Sequence, residues 1–249
     1  MKIVFTKDYQ ELSLLAAQLV AQHIKEKPTL TLGLATGSTP IGMYQELVKL
    51  FKNQEIDFQH ITTFNLDEYV GLVPDHKQSY NFFMQKKFFE HVNINKKNIF
   101  IPDGLTQKPT EYCAQYEQEI KNRDGIDIQI LGIGRDGHIG FNEPGSPINS
   151  STRVVNLDQL TIQDNARFFD GNINAVPKQA ITMGIASILA ARECVLLASG
   201  TAKAKIIERT FTGTISENIP ASFLQMHPQC TIIVDQAAAS LLKSIQSSQ

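Results

Sequence analysis

The segment TLTLGLATGSTP, residues 29–40, decides the fold of this chain. An apolar run from Leu30 to Leu34 leads into a turn of small and hydroxyl residues, and Pro40 follows at a position favoured in the first turn of a helix. A strand that passes through a tight turn into a helix is the building unit of parallel α/β sheets. The small residues and free N–H groups of such a turn can also cradle a phosphate. A capped strand–turn–helix unit without a ligand is the alternative.

The same alternation of strands and helices continues on both sides of this segment. Apolar residues recur at helical spacing, and shorter apolar runs of strand length lie between these stretches. The pattern indicates an α/β fold, a single domain over residues 1–249 with a Rossmann-like parallel sheet and helices on both faces. Such sheets bind ligands at the carboxyl ends of their strands. The predicted helices cover residues 12–24, 43–51 and 112–120, and the predicted strands cover residues 3–5, 30–34, 61–66, 127–133, 193–198 and 231–234.

Composition and charge exclude several functional classes. The net charge is -2, which predicts no basic surface for nucleic acid. No apolar stretch reaches the length of a membrane span, and the first apolar run is too short for a signal peptide. The three cysteines lie far apart and fit neither a disulfide framework nor a zinc site. We therefore expect a cytoplasmic protein whose partner is a small molecule, not a nucleic acid or a membrane.

Two adjacent carboxylates follow a predicted strand in TTFNLDEYVGL, residues 62–72. Asp67 and Glu68 therefore lie at the edge of the sheet where ligands bind. Adjacent residues of an extended chain point in opposite directions, so only one of the two is expected to face the ligand. A carboxylate there can act as a general base, with a pKa that burial raises. A helix-capping aspartate is the alternative.

The longest polar motif is DIQILGIGRDGHIGFNEPGS, residues 127–146. It places Asp136, His138 and Glu143 within eight positions of one loop. Two flanking carboxylates orient a histidine and raise its pKa, which suits it to proton transfer near neutral pH. A metal site is the rival interpretation because all three residue types bind metals, and a structural histidine is another. The glycines also match a GxGxxG pattern, but a proline and further glycines occupy the place of the long helix that a dinucleotide site requires.

Two further features concern charge and mobility. Lys203 lies in the first turn of a helix predicted after the strand in LLASGTAKAKIIERTF, residues 196–211. A cation there is unfavourable unless an anion binds nearby, although an exposed helix lysine is the alternative. Residues 153–184 form a long polar connection with few strand signals, which predicts a lid. An ordinary crossover helix with a loop is the other interpretation.

These motifs, in this order, resemble the glucosamine-6-phosphate deaminases of the glucosamine/galactosamine-6-phosphate isomerase family. The resemblance rests on GLATGSTP, FNLDEYVGL, Ser79-Tyr80, LGIGRDGHIGFNEPGS, NARFF, VPKQAITMG and SGTAKA, which cover most of the chain. It implies an enzyme that isomerises an amino-sugar phosphate and releases ammonia without a metal or a redox cofactor. The related 6-phosphogluconolactonases share the fold and the phosphate loop, but DEYVGL and FNEPGS are not expected in them.

The resemblance also implies a role for each matching residue. Asp67 matches the base that moves a proton between C2 and C1 of the substrate. His138 matches the residue that opens the sugar ring, with Asp136 and Glu143 as its carboxylate partners. The groups that match the phosphate site are Gly37, Ser38, Thr39, Arg167 and Lys203.

One departure from the family concerns regulation. Members activated by N-acetylglucosamine 6-phosphate carry an arginine and, two positions later, a lysine, whereas Arg153 is followed here by Val154 and Val155. A C-terminal region shorter than in those members is also expected. We therefore predict a monomer or a small homo-oligomer without this activation. The functional alternatives are a 6-phosphogluconolactonase-like hydrolase and a non-catalytic sugar-phosphate-binding module.

Overall fold

The computed structural model describes residues 1–242, so residues 243–249 of the predicted domain lie outside the described part. Within it, the strands are β1 Lys2–Thr6, β2 Thr31–Leu34, β3 Thr62–Asn65, β4 Asp67–Tyr69, β5 Ile99–Phe100, β6 Ile128–Leu131, β7 Arg153–Asn156, β8 Gln179–Thr182, β9 Glu193–Ala198 and β10 Cys230–Asp235. The α-helices are α1 Tyr9–Glu26, α2 Ile41–Lys52, α3 Tyr80–Lys87, α4 Pro109–Lys121, α5 Gln159–Asn165, α6 Ile185–Leu189 and α7 Ala204–Thr212. None of these helices is long and apolar enough to cross a membrane.

Seven strands form one parallel sheet in the order β1-β10-β9-β6-β2-β3-β5. The chain runs outward from β2 through β3 to β5 on one side, and from β6 through β9 to β10 on the other. The loops that leave β2 and β6 therefore diverge, and the crevice between them is the place where sheets of this kind bind ligands.

The sheet is covered on both faces, as the sequence predicts. Successive residues of a strand contribute to opposite cores: Ile130 packs with helices α1, α2 and α3, whereas Leu131 packs with α4, α6 and α7. Leu197 and Leu196 of β9 divide in the same way. Burial on both faces explains why these strands read as continuous apolar runs. All six predicted strands are confirmed, with boundaries that differ by at most two residues.

A second, smaller sheet was not predicted. Strands β4, β8 and β7 pair antiparallel, so the segment 153–184, which carried few strand signals, begins and ends in strands. Between them lie α5 and two 3-10 turns. Tyr69 of β4 packs with Phe141 of the loop after β6 and with Phe169 and other apolar residues of this segment in a third core. Tertiary packing onto this aromatic cluster stabilises strands whose own sequences are weak predictors.

Candidate active site

A cavity of about 780 Å³ opens at the carboxyl ends of the central strands. It is built from the loops that follow β2, β3, β6 and β9, together with part of the segment 153–184. Asp136 and Glu143 do not line the cavity but lie behind His138, which does. The structure thus brings all nine residues singled out from the sequence to one site. Those that line the cavity are Gly37, Ser38, Thr39, Asp67, His138, Arg167 and Lys203.

The turn after β2 forms one wall of the cavity. Helix α2 begins at Ile41, so Pro40 is its N-cap and precedes the first turn by one residue rather than lying in it. Pro40 provides no side-chain hydrogen bond to the helix. The hydroxyl of Tyr9 donates to the carbonyl of Ser38 at 3.1 Å and accepts from the N–H of Gly42 at 2.8 Å. This clamp, which the sequence did not indicate, fixes the turn beside the start of α2, a place where proteins commonly bind anions.

Lys203 approaches the same wall from the loop after β9. Its ammonium group donates to the carbonyl of Ile133 at 2.6 Å, which directs it toward the crevice beside β6. Burial lowers the pKa of Lys203, and the nearby positive charge of Arg135 lowers it further. A bound anion would oppose both effects. Asp235 of β10 stabilises the turn before Lys203 by accepting from the hydroxyl of Ser199 and the N–H of Gly200.

Arg167 enters the cavity from the segment 153–184. It lies in the 3-10 turn Ala166–Phe168, and its guanidinium stacks on the ring of Phe168 with 4.6 Å to the ring centre. Hydrogen bonds connect this segment to the rest of the site, among them Thr161 to Glu143 at 2.6 Å and Asn165 to the hydroxyl of Tyr69 at 2.8 Å.

The two adjacent carboxylates separate, as predicted. Glu68 turns away from the cavity and accepts from the backbone N–H groups of Tyr69, Tyr80 and Asn81 at 2.8 to 2.9 Å. Asp67 faces the cavity and is almost completely buried. Burial, together with the negative charge of Glu68, raises the pKa of Asp67 to about 8, although His138 partly opposes the change. A carboxyl group in this environment accepts protons far more readily than an exposed one.

Gly140 allows the loop after β6 to approach Asp67. Its φ is +58°, and a Cβ atom there would lie 3.0 Å from the hydroxyl oxygen of Thr182 and 3.2 Å from a carboxylate oxygen of Asp67. Any other residue would be strained in this conformation and would press on the carboxylate. The glycine therefore allows Asp67 and His138 to share one cavity.

His138 is held between two carboxylates. Its Nδ1 lies 2.7 Å from Oδ1 of Asp136 and 3.5 Å from Oε2 of Glu143. Burial alone would lower the pKa of His138, but the hydrogen bonds and charges of Asp136 and Glu143 outweigh it and raise the pKa to about 9. For Asp136 the signs are reversed: burial alone would raise its pKa, but the hydrogen bond and charge of His138 hold that pKa well below its usual range. At neutral pH the imidazole is therefore protonated and can donate a proton into the cavity.

The glycine pattern around His138 has a structural reason unrelated to dinucleotides. A Cβ atom on Gly134 would lie 2.3 Å from the imidazole ring, so this glycine makes room for His138. No helix follows β6 directly, and the nearest later acidic candidate, Asp158, caps α5 by accepting from Leu160 at 2.8 Å. The dinucleotide interpretation therefore lacks both of its structural requirements.

The same triad has the geometry to hold a cation. One ligand atom from each of Asp136, His138 and Glu143 lies within 4.8 Å of the other two. Both carboxylates, however, approach the same nitrogen of His138, where a protonated imidazole places its positive charge beside them. The expectation that the site works without a metal remains a prediction, which treatment with a chelator tests.

The fold and the site together define a class of protein. A parallel sheet carries, at its central crevice, one cavity lined by the turn at a helix start, by cations, by a buried carboxyl group and by an imidazole held beside two carboxylates. This arrangement suits an enzyme that anchors a phosphorylated small molecule and moves protons on it.

Comparison with known proteins identifies the family. The chain belongs to the family described as Glucosamine-6-phosphate isomerases/6-phosphogluconolactonase, whose model matches residues 7–233. It is 52% identical over 242 residues to a glucosamine-6-phosphate deaminase of Thermoanaerobacter pseudethanolicus, covering 97% of this chain and 95% of that protein. With a deaminase of Clostridium perfringens it shares 48% identity over 243 residues, covering 98% of this chain and all of that protein.

Among solved structures, a deaminase is more similar to this chain than a lactonase is. A monomeric glucosamine-6-phosphate deaminase superposes with a TM-score of 0.94 at 47% identity, covering 97% of this chain and 100% of that one. A 6-phosphogluconolactonase from Trypanosoma brucei superposes with a TM-score of 0.77 at 19% identity, covering 97% and 98% of the two chains. The lactonase thus shares the fold.

Proposed function

We propose that this chain converts glucosamine 6-phosphate and water into fructose 6-phosphate and ammonia. The high identity to proteins named for this reaction, over nearly the whole length of both chains, supports the proposal. The observation that carries it is the pairing of a buried carboxyl group, Asp67, with a protonated imidazole, His138, in one cavity. One group is suited to accept a proton from carbon and the other to donate a proton to oxygen.

Substrate binding begins at the phosphate. The turn at residues 37–39 offers backbone N–H groups and hydroxyls, and Arg167 and Lys203 add positive charge. Phosphate binding at C6 positions the distant C1 and C2 atoms and supplies orientation energy for the chemical steps. In the proposed role, residues 153–184 act as a lid that carries Arg167 onto the phosphate, within one domain that includes residues 1–249.

The chemical steps follow from the two proton-transfer groups. His138 transfers a proton to the ring oxygen, the bond between C1 and that oxygen breaks, and the C1 hydroxyl loses its proton, which opens the pyranose to an aldehyde. The aldehyde acidifies the C2–H bond, and Asp67 removes that proton while the aldehyde oxygen gains a proton, which forms an enolamine. Protonation at C1 then gives a ketimine at C2. Water adds to C2, ammonia leaves, and fructose 6-phosphate remains. Asp136 and Glu143 keep the imidazole oriented and charged.

This activity would place the chain in amino-sugar metabolism, at the step of N-acetylglucosamine breakdown that releases the amine, in the cytoplasm and as a monomer or small homo-oligomer. Its three cysteines are free and buried, which supports a reducing compartment. The reaction consumes water and is a hydrolysis as well as an isomerisation.

The test compares three compounds with the purified protein. Ammonia release from glucosamine 6-phosphate is expected, with only very slow release from unphosphorylated glucosamine and no hydrolysis of 6-phosphogluconolactone. Rapid lactone hydrolysis without ammonia would support the lactonase alternative instead. Binding of glucosamine 6-phosphate with no turnover would support the non-catalytic binding module.

A further inference from the structure

Within the described part of the chain, four lysine and arginine cations line the cavity, and three of them, Arg135, Arg167 and Lys203, lie near one another, whereas the fourth is Lys77. The proposed phosphate site uses only two of these three neighbours. Arg167 and Lys203 are assigned to phosphate, whereas Arg135 has no role in the mechanism. Arg135 follows Gly134 on the loop after β6 and lies close enough to Lys203 to lower its pKa. Like charges gathered in this way are unfavourable unless an anion lies between them or beside them.

Arg135 already has an anionic partner within the chain. Its Nε donates to Oδ2 of Asp164 at 3.1 Å, and its Nη2 donates to Oδ1 of the same carboxylate. A guanidinium binds a phosphate group through this same two-pronged geometry. Asp164 also lines the cavity, so the carboxylate lies at the edge of the space that a ligand would fill. The side chains are 64% and 43% exposed, so water screens the pair and its loss costs little free energy.

The pair is not the main attachment of the segment 153–184. Asn165, the residue after Asp164, donates to the hydroxyl of Tyr69 at 2.8 Å. The ring of Phe169 packs edge-on against Tyr69 within the third core, which buries further apolar residues of the segment. Breaking the contact between Arg135 and Asp164 therefore leaves the segment in place, and Arg135 is free to change partners.

We propose that Arg135 is a third phosphate-binding cation, and that Asp164 is the internal carboxylate that the substrate phosphate displaces from it. The inference rests on the proposed function only for the phosphorylated nature of the ligand. Asp164 then competes with the ligand for one guanidinium, whereas Arg135 attracts the ligand. Removing the two side chains should therefore change ligand affinity in opposite directions. A purely structural ion pair would give losses of the same sign.

The test measures the dissociation constant of glucose 6-phosphate, a sugar phosphate without an amine, by calorimetry. Asp164→Asn is expected to bind it about two- to fivefold more tightly, since an exposed ion pair competes only weakly. Arg135→Gln is expected to bind it roughly tenfold more weakly, because a charge-assisted contact is lost. Lys108→Gln is the control, since it removes a cation that is paired with Glu111 on the surface outside the cavity. Thermal unfolding of each variant checks that it is folded.

The double variant distinguishes two explanations: the ligand phosphate displaces Asp164 from Arg135, or Asp164 simply repels the ligand. If Asp164 acts through Arg135, Asp164→Asn should have a smaller effect in the Arg135→Gln background than in the wild type. An equal gain in both backgrounds, weaker binding by Asp164→Asn, or unchanged binding by Arg135→Gln would overturn the inference. Failure of the wild type to bind glucose 6-phosphate would do the same. Because no turnover is measured, absent ammonia release would refute the proposed function without deciding this result.

Discussion

Replacing Asp136 with asparagine should lower the pKa of His138, because it removes the negative charge that lies next to the imidazole. The pKa of His138 rises from the ordinary 6.5 to about 9, which corresponds to about 3 kcal/mol of extra stabilisation of the protonated imidazole at about 1.4 kcal/mol per pH unit. Burial opposes this rise, so the two carboxylates together contribute more than the net change, although solvent contact of a quarter of the imidazole screens part of their charge. Asp136, at 2.7 Å, should account for more than half of their contribution, and Glu143, at 3.5 Å, for less. Asp136→Asn should therefore weaken proton binding at His138 at least tenfold.

Two measurements check this expectation. NMR titration of the His138 ring should show the lower pKa in Asp136→Asn and a smaller change in Glu143→Gln. A raised histidine pKa stabilises the folded state fully below pH 6.5, and this contribution is lost as pH rises through about 9. The difference in unfolding free energy between wild type and Asp136→Asn should thus be larger at pH 6 than above pH 9. An unchanged titration, or a greater effect of Glu143→Gln, would refute the reasoning.

Five further expectations follow from the sequence and the site. Asp67→Asn should lower turnover about 10²-fold or more while substrate still binds, as steady-state kinetics can show. In the wild type, kcat/KM should rise with pH through about 8 as Asp67 loses its proton. Lys203→Ala should raise KM about 10- to 100-fold, since it removes a charge-assisted contact; an unchanged KM would remove Lys203 from the phosphate site. Chelator treatment and desalting should leave the rate unchanged. Plots of rate against substrate concentration should be hyperbolic with or without N-acetylglucosamine 6-phosphate, whereas sigmoidal plots would reveal a second site.

The expected lack of activation has a structural basis in Arg153. Its guanidinium donates to Oδ1 of Asn142 at 2.9 Å and to Oγ of Ser146 at 3.4 Å. Asn142 in turn donates to the carbonyls of Ile139 and Met183. Arg153 therefore braces the loop that carries His138 and Glu143, and several of its donors are already used. Position 155 carries a valine, so it adds no positive charge to that of Arg153 for a second phosphate.

The parallel sheet was predictable because its physical signal is local. Strands such as β6 and β9 are buried on both faces, so each appears in the sequence as an unbroken apolar run bounded by turn residues. The residues at the ends of those strands could be assigned to one site for the same reason, since carboxyl ends of parallel strands converge. The pairing of His138 with two carboxylates followed from their closeness within one loop.

The small sheet and the supports of the site were not predictable, because they depend on contacts distant in sequence. Strand β7 is only partly buried, and its pairing with β8 spans a helix and two turns. Tyr9 of α1 clamps the turn that follows β2, and Asp235 of β10 fixes the turn before Lys203. Nothing in the local sequence of these residues signals such partners. The pair of Arg135 and Asp164 likewise joins positions separated by 29 residues.

The central claim is that Asp67 breaks the C2–H bond of the bound sugar, and labelled substrate tests it most directly. Glucosamine 6-phosphate carrying deuterium at C2 is incubated in ordinary water with wild type or with Asp67→Asn, and NMR follows the label. The wild type should remove deuterium from C2 as ammonia appears, whereas Asp67→Asn should bind the sugar and retain the label at C2. Loss of the label at the wild-type rate in Asp67→Asn would contradict the account.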